Sequence, residues 1–252
     1  MYKADIKEYG RFGELIPGDS PMSCYPLSVI DLAQSGDIFT DTGDQVLIWH
    51  RGGFVFLYGS YDDSFLDGVC DLLTDRCGTN DRRFLLISPD TAVFSRFENC
   101  PDILIEKRYF FSYPADKTVE APALPEGFEV RDMRPDELPQ ITGQVVPLFY
   151  WGDAEAFLRS GMCSVVTCEG RVVSWAFSAA LCGAMVDIGI ETLPEYRGKG
   201  LALAVCQHLI RRILSEGRRP VWGCHYRNPA SENLAYRLGF VKESEAFTFK
   251  KI

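Results

Sequence analysis

Glu195-Tyr196-Arg197-Gly198-Lys199-Gly200-Leu201-Ala202 stands between an apolar run, AMVDIGIET (184–192), and an amphipathic run, LALAVCQHLIRRILSE (201–216). The first run has the length and composition of a buried strand. The second repeats apolar residues at helical spacing, with Cys206, Leu209, Ile210 and Ile213 on one face, and Gly217 is placed to stop it. A strand-to-helix turn made of Arg197, Gly198, Lys199 and Gly200 leaves backbone N–H groups unpaired at a helix N-terminus. Glycine also removes the side chains that would hold a phosphate away. A tight turn that uses glycine only for its positive φ has the same composition. The spacing is neither GxGxxG nor GxxxxGK[ST], so dinucleotide and P-loop readings have no specific support.

Outward from that turn, the chain alternates strands and helices. FEVRDM (128–133) reads as a strand. Pro135 opens helical pieces that Pro139 and Pro147 interrupt, and CSVVTCEGRVVSWAFSAAL (163–181) reads as a hairpin turning at Glu169-Gly170. After the long helix come the strand VWGCHY (221–226), the helix PASENLAYRL (229–238), Gly239 and the strand FVKESEAFTFK (240–250). Upstream, YPADKTVEAPALPEG (113–127) replaces apolar periodicity with proline, small residues and charge, and reads as a linker. Before it lie a short helix (PLSVIDLAQSG), a hairpin turning at Gly52-Gly53 and an amphipathic stretch (SFLDGVCDLLTDRCG). A strand (RFLLIS), a short helix opened by Ser88-Pro89 and the strand DILIEKRYFF complete this part. The expected organisation is therefore a smaller α+β domain over 1–112, a linker over 113–127 and an α/β domain over 128–252.

Composition narrows the function classes. With 252 residues and 46% hydrophobic content the chain can bury a substantial core. Lys plus Arg is 26 against 35 for Asp plus Glu, a formal charge of −9, which opposes a polyanion-binding face and so argues against nucleic acid. The first residues, MYKADIKEYGRFGE, lack the apolar centre of a signal peptide, and no run approaches the roughly twenty apolar residues of a membrane helix. A cytoplasmic protein without a membrane partner is expected. The nine cysteines form no CxxC pair, which gives no zinc signal and fits reduced thiols in apolar runs.

Arg197-x-x-Gly200-x-Ala202 after a strand resembles the acetyl-CoA-binding signature of the GCN5-related N-acetyltransferase (GNAT) superfamily. Asn228-Pro229-Ala230-Ser231, followed by Leu234, Leu238 and Gly239-Phe240, is similar to that family's asparagine-led fourth helix. The wording ETLPEYRGKGLA with NPAS is also similar to the subgroup containing the zwittermicin A resistance acetyltransferase. The resemblance covers about residues 128–250 and implies a GNAT-like mixed, twisted sheet with flanking helices. It implies pyrophosphate binding by the backbone of Arg197, Gly198, Lys199, Gly200, Leu201 and Ala202. Ile190, Glu191 and Thr192 would pair with the pantetheine arm, and Asn228 and Ser231 would hold that arm from the other side. Asn228 before Pro229 is equally a helix N-cap.

The resemblance further implies acetyl transfer from acetyl-CoA to a small-molecule primary amine, by direct attack in a ternary complex and without a metal. Proton transfer is less legible. Where many members carry a tyrosine four residues before the closing glycine, this chain has Ala235. Tyr236 is turned about 100° around the helix from that position, and Tyr226, His225 or water are the other sources of an acid. For a base, Asp187 and Glu191 both lie on the strand before the turn, with Glu191 nearer the expected thioester; alternation puts them on one face unless a bulge intervenes. His225 ends an apolar strand, where a histidine could relay a proton or be structural. The catalytic candidates are Glu191, His225 and Tyr236. Because the proton-transfer groups depart from the pattern, an acyl-CoA-binding sensor without turnover is the second reading. The acidic composition favours a cationic or neutral acceptor. The aromatic N-terminal half could supply core, a wall of the acceptor cleft or a homodimer interface. Its order of elements echoes the C-terminal half, as a degenerate copy without a phosphate turn would.

Overall fold

The computed structural model describes residues 1–41, 44–75, 78 and 80–252. The N-terminal half contains β1 (Tyr2–Lys3), α1 (Cys24–Ile30), β2 (Gly36–Thr40), β3 (Gln45–His50), β4 (Phe54–Gly59), α2 (Asp63–Thr74), β5 (Leu85–Ser88), α3 (Thr91–Phe97) and β6 (Ile103–Ser112). Residues 113–127 carry neither helix nor strand. The C-terminal half contains β7 (Phe128–Asp132), α4 (Pro147–Trp151), α5 (Ala154–Ser160), β8 (Cys163–Cys168), β9 (Arg171–Leu181), β10 (Met185–Thr192), α6 (Leu201–Ser215), β11 (Arg219–His225), α7 (Pro229–Leu238) and β12 (Val241–Lys251). Sequence reading finds most of these elements. It misses β1, β2, α5 and the 3-10 turns at Ile6–Leu15, and it places the cap of α3 at Ser88-Pro89, whereas the Asp90 side chain accepts the Ala92 N–H.

All strands of the described residues join one mixed sheet in the order β1-β2-β3-β4-β5-β12-β6-β11-β10-β9-β8-β7. From β1 inward, three antiparallel pairings lead to the parallel pair β4/β5. From β7 inward, three antiparallel pairings lead to the parallel pair β10/β11. The last strand of each half then crosses into the other: β12 pairs with β5 and β6 pairs with β11, and the two pair with each other at the centre. The mixed α/β architecture expected for the C-terminal half therefore extends through the whole chain.

Strands with helices on both faces should be apolar throughout rather than alternating, and β3 and β4 show this. Val46, Ile48, Phe54 and Phe56 enter one core with α1 and α6, while Leu47, Trp49, Val55 and Leu57 enter a second with α2 and α3. The hairpin turn at Glu169-Gly170 has positive φ at both residues, the geometry that suits a two-residue connection between twisted strands. The described cysteines are free thiols, most of them buried. Cys77 lies outside the described residues.

Candidate active site

β10 and β11 run parallel but pair only through Met185–Asp187 with Arg219–Val221. Beyond that point β10 stays with β9 and β11 stays with β6, so the two strands splay. The splay opens a cleft of about 580 Å³ walled by both halves of the chain: Asp187, Glu191 and His225 from one, Tyr25, Phe54 and Arg108 from the other. Ile190, Asn228 and Ser231 line it as well. A register shift falls between Asp187 and Ile188, where Ala179 of β9 is passed over. The extra residue is thus on β9, β10 keeps its alternation, and Asp187 and Glu191 open to the same cleft.

Next to it, a cavity of about 360 Å³ lies over the glycine turn, lined by Thr192, Arg197, Gly198, Gly200, Leu201 and Ala202 and faced by Ala230 and Asn233 of α7. Gly198 and Gly200 have φ of 77° and 80°, and a Cβ at either would meet no atom within 4 Å. Both positions therefore need glycine for backbone conformation, and both look onto open space. The first bond of α6 is Ala204 N–H to the Gly200 carbonyl. Among the described residues the N–H groups of Gly198 through Leu203 have no acceptor in the chain, so a nest of free donors stands at the positive end of a helix of 15 residues, the arrangement that suits an anion. Arg197 is held against the turn by its Nε–H, which donates to the Thr192 carbonyl at 3.1 Å; Lys199 is exposed beside it. Opposite, Asn228 Oδ1 accepts the Ser231 N–H at 3.1 Å, capping α7, and Ser231 Oγ accepts the Trp222 indole N–H at 3.1 Å. Among the described residues the amide NH₂ of Asn228 is left to donate, while the Ser231 hydroxyl also lies within hydrogen-bond reach of the Cys224 thiol.

Asp187 is the most perturbed acid in the cleft. It is 5% exposed, and burial pushes its carboxyl up from the ordinary range to about 7. The positive charge of Arg108 and the hydrogen bond from Tyr25 (Tyr25 Oη to Asp187 Oδ2, 2.8 Å) oppose that rise. A carboxyl with this pKa in a cleft has the character of a proton acceptor near neutral pH.

The three catalytic candidates from sequence are placed differently. Glu191 lines the cleft, and its Oε2 accepts the backbone N–H groups of Gln144 and Val145 at 2.9 and 2.7 Å, fastening the loop that leads into α4. The Trp175 indole N–H donates to the Val145 carbonyl and pins the same loop. His225 lies at the rim with both ring nitrogens engaged: Nδ1 accepts the Arg227 N–H at 3.2 Å and Nε2 is 3.2 Å from Glu106 Oε2. Glu106 also meets Arg227 and Lys250. Tyr236 is not brought together with these groups. It is 48% exposed, packs its ring on Phe111, directs its hydroxyl to Glu232 and lines neither cavity. Cys224 lines the cleft, but burial raises its thiol pKa, the opposite of an activated thiolate.

Sequence reading missed Tyr25, Arg83, Arg108 and Tyr150, which complete the cleft. Arg108 arrives only because β6 crosses between β11 and β12, and it lies against Gly223, whose missing side chain leaves room for the guanidinium. Tyr150 sits in α4, in a stretch whose prolines read as broken helix, and stacks on Phe54 while meeting Phe177 edge-on. No local spacing announces either residue.

A sheet splayed at its one C-terminal parallel pair, with an anion nest at the following helix, is the layout of an acyltransferase of the GNAT type. A family model described as GNAT acetyltransferase matches residues 25–249, and the chain belongs to that family. The match includes most of the N-terminal half, which carried no motif. An uncharacterized N-acetyltransferase, YdfB, from Bacillus subtilis (strain 168) is 27% identical over 228 residues, 86% of each chain. Among solved structures, a GCN5-related N-acetyltransferase-like protein from Streptococcus suis 89/1591 has a TM-score of 0.75 at 23% identity, covering 98% of this chain and 100% of its own. A tandem GNAT protein from the clavulanic acid biosynthesis pathway has a TM-score of 0.65 at 10% identity, covering 98% and 93%. These structures share the fold. Among the described residues no helix is long and apolar enough to cross a membrane, and no cluster has the makeup of a metal site.

Proposed function

We propose that this N-acetyltransferase takes an acetyl group from acetyl-CoA and passes it directly to a primary amine of a small molecule, with both substrates bound together. The observation that carries the reading is the nest of unpaired N–H groups from Gly198 to Leu203 at the open end of the β10/β11 splay. That nest accepts the pyrophosphate, and the unpaired edge of Ile190–Thr192 and the donors of Asn228 and Ser231 hold the arm that leads into the cleft. Asp187 takes the proton that an incoming ammonium must lose before its nitrogen can attack the thioester carbon. Tyr150 stays protonated, because burial raises its pKa, and is the hydroxyl the cleft offers to the departing thiolate. Glu191 acts as a positioning residue through the loop at 144–145. Backbone N–H groups and alignment supply the rest of the acceleration.

The N-terminal half is a second copy of the same unit that has lost its phosphate site. The repeated pairing order supports this, and so does the segment after β4, where Asp62 caps α2 by accepting the Phe65 N–H. A carboxylate there occupies a donor that a phosphate would need and places negative charge at that helix end. The wording ETLPEYRGKGLA favours an antibiotic or another small amine as acceptor, and cytoplasmic residence goes with the buried free thiols and with the place where acetyl-CoA is made. Thermal unfolding with and without acetyl-CoA tests the donor: at a hundred times its Kd the ligand adds about 2.7 kcal/mol, a rise of several degrees for a chain of this size. No rise at saturating ligand would reduce the glycine turn to mere geometry.

A further inference from the structure

The guanidinium groups of Arg83 and Arg108 lie 4.6 and 5.0 Å from the centroid of one ring, Phe54, on the wall of the cleft that holds Asp187. Their placement is built. Gly53, at φ 82°, permits the close approach of the Arg83 backbone, since a Cβ there would stand 2.6 Å from the Arg83 carbonyl oxygen. The Trp49 indole N–H donates to that oxygen at 3.0 Å. Arg108 is braced by a bond of 2.7 Å from its guanidinium to the Gly223 carbonyl.

Several arginines elsewhere are neutralised by carboxylates, as Arg82 is by Asp37, Arg131 by Glu137 and Arg212 by Asp132. Among the described residues no carboxylate reaches salt-bridge distance of Arg83 or Arg108. Two like charges lining one cleft repel, and an anion bound beside them relieves the repulsion while forming charge-assisted bonds. A second cavity of about 550 Å³ shares Arg83, Arg108 and His225 with the cleft; Lys250 on its edge is paired with Glu106, which lines it too, as do Asp75 and Lys251. There is room beyond the place where an amine would meet Asp187.

We infer that the acceptor is an amine that also carries an acidic group, a carboxylate or a phosphate, seated on the Arg83–Arg108 pair while its nitrogen points toward Asp187. This rests on the reading of the cleft as the acceptor site and reverses the expectation from overall composition, because the cleft offers two arginines without carboxylate partners although the chain as a whole is acidic.

The test is equilibrium binding, so that it stands apart from turnover. Matched probes are titrated into the protein in the presence of coenzyme A: tyramine against tyrosine for the carboxylate, ethanolamine against phosphoethanolamine for the phosphate. In at least one pair the acidic member is expected to bind tenfold or more tightly than its parent, with the preference shrinking as salt is raised and falling below twofold in Arg83→Met and Arg108→Met. Which pair responds tells carboxylate from phosphate. If Arg108→Met does not fold, Arg83→Met, at an exposed position, carries the test. Acidic members that bind no better than their parents, or a preference that survives the substitutions, would overturn the inference. Failure of the donor reading shows separately, as absence of coenzyme A binding.

Discussion

Tyr25 and Asp187, 162 positions apart in the chain, meet through a hydrogen bond of 2.8 Å at the floor of the cleft. One residue comes from α1 of the N-terminal half and the other from the strand that leads into the glycine turn. The acidity of the central carboxyl is therefore set by both halves: burial raises it to about 7, and Tyr25 and Arg108 limit the rise.

Asp187→Asn is expected to lower kcat by roughly a hundred to ten thousandfold, the usual yield of a positioned base, while the thermal shift with acetyl-CoA persists. The sign of its stability effect follows from the raised pKa. The carboxyl favours the fold when protonated, and that contribution is lost as pH rises from the ordinary 3.8 through about 7. The asparagine variant should therefore gain stability over the wild type as pH goes from 4 toward 8, read by melting temperature across that range. A gain in the opposite direction would mean that Asp187 is charged and well paired in the fold.

Tyr25→Phe removes a donor to the carboxylate and leaves burial in place. The acid limb of kcat/KM, expected near 7 in the wild type, should move to higher pH by about one unit, in keeping with about 1.5 kcal/mol for a hydrogen bond to a charged group. A pH–rate profile in both proteins checks this, and an unmoved limb would separate Tyr25 from the titrating group.

Glu191→Ala should act through the loop rather than through the proton. The Gln144 and Val145 amides lose their acceptor, so the acceptor KM should rise while the acid limb stays where it is in the wild type. Loss of the limb in this variant, with its retention in Asp187→Asn, would transfer the base to Glu191.

Gly200→Val should abolish the thermal shift with acetyl-CoA. The site has φ of 80° with open space above it, so the substitution costs about 1–2 kcal/mol in backbone strain and places two methyl groups where the pyrophosphate would lie. The circular dichroism spectrum should stay close to wild type. Undiminished affinity would remove the turn from the account.

Local signals carried the C-terminal half. The glycine turn, the cap Asn228-Pro229 and the apolar face of α6 are short-range features, and each lies where its spacing predicts. The wall of the cleft that comes from the N-terminal half was not legible, because it depends on β6 and β12 crossing between halves, a pairing with no local signature. Arg108 reads as one more charge in DILIEKRYFF until Gly223 is found beside it, and Tyr25 falls just ahead of the stretch PLSVIDLAQSG with no signal of its own. Asp187 and Glu191 differ in side-chain partners, which spacing does not encode: one is buried against a tyrosine, the other accepts two backbone amides.

The central claim is acetyl transfer to an amine, and thiol release from acetyl-CoA across an amine panel at pH 8 tests it most directly. The account predicts release that requires both protein and amine and that falls at least a hundredfold in Asp187→Asn. Binding of acetyl-CoA with no amine-dependent thiol release from any member of the panel would contradict it and would identify the protein as a sensor of the acyl carrier.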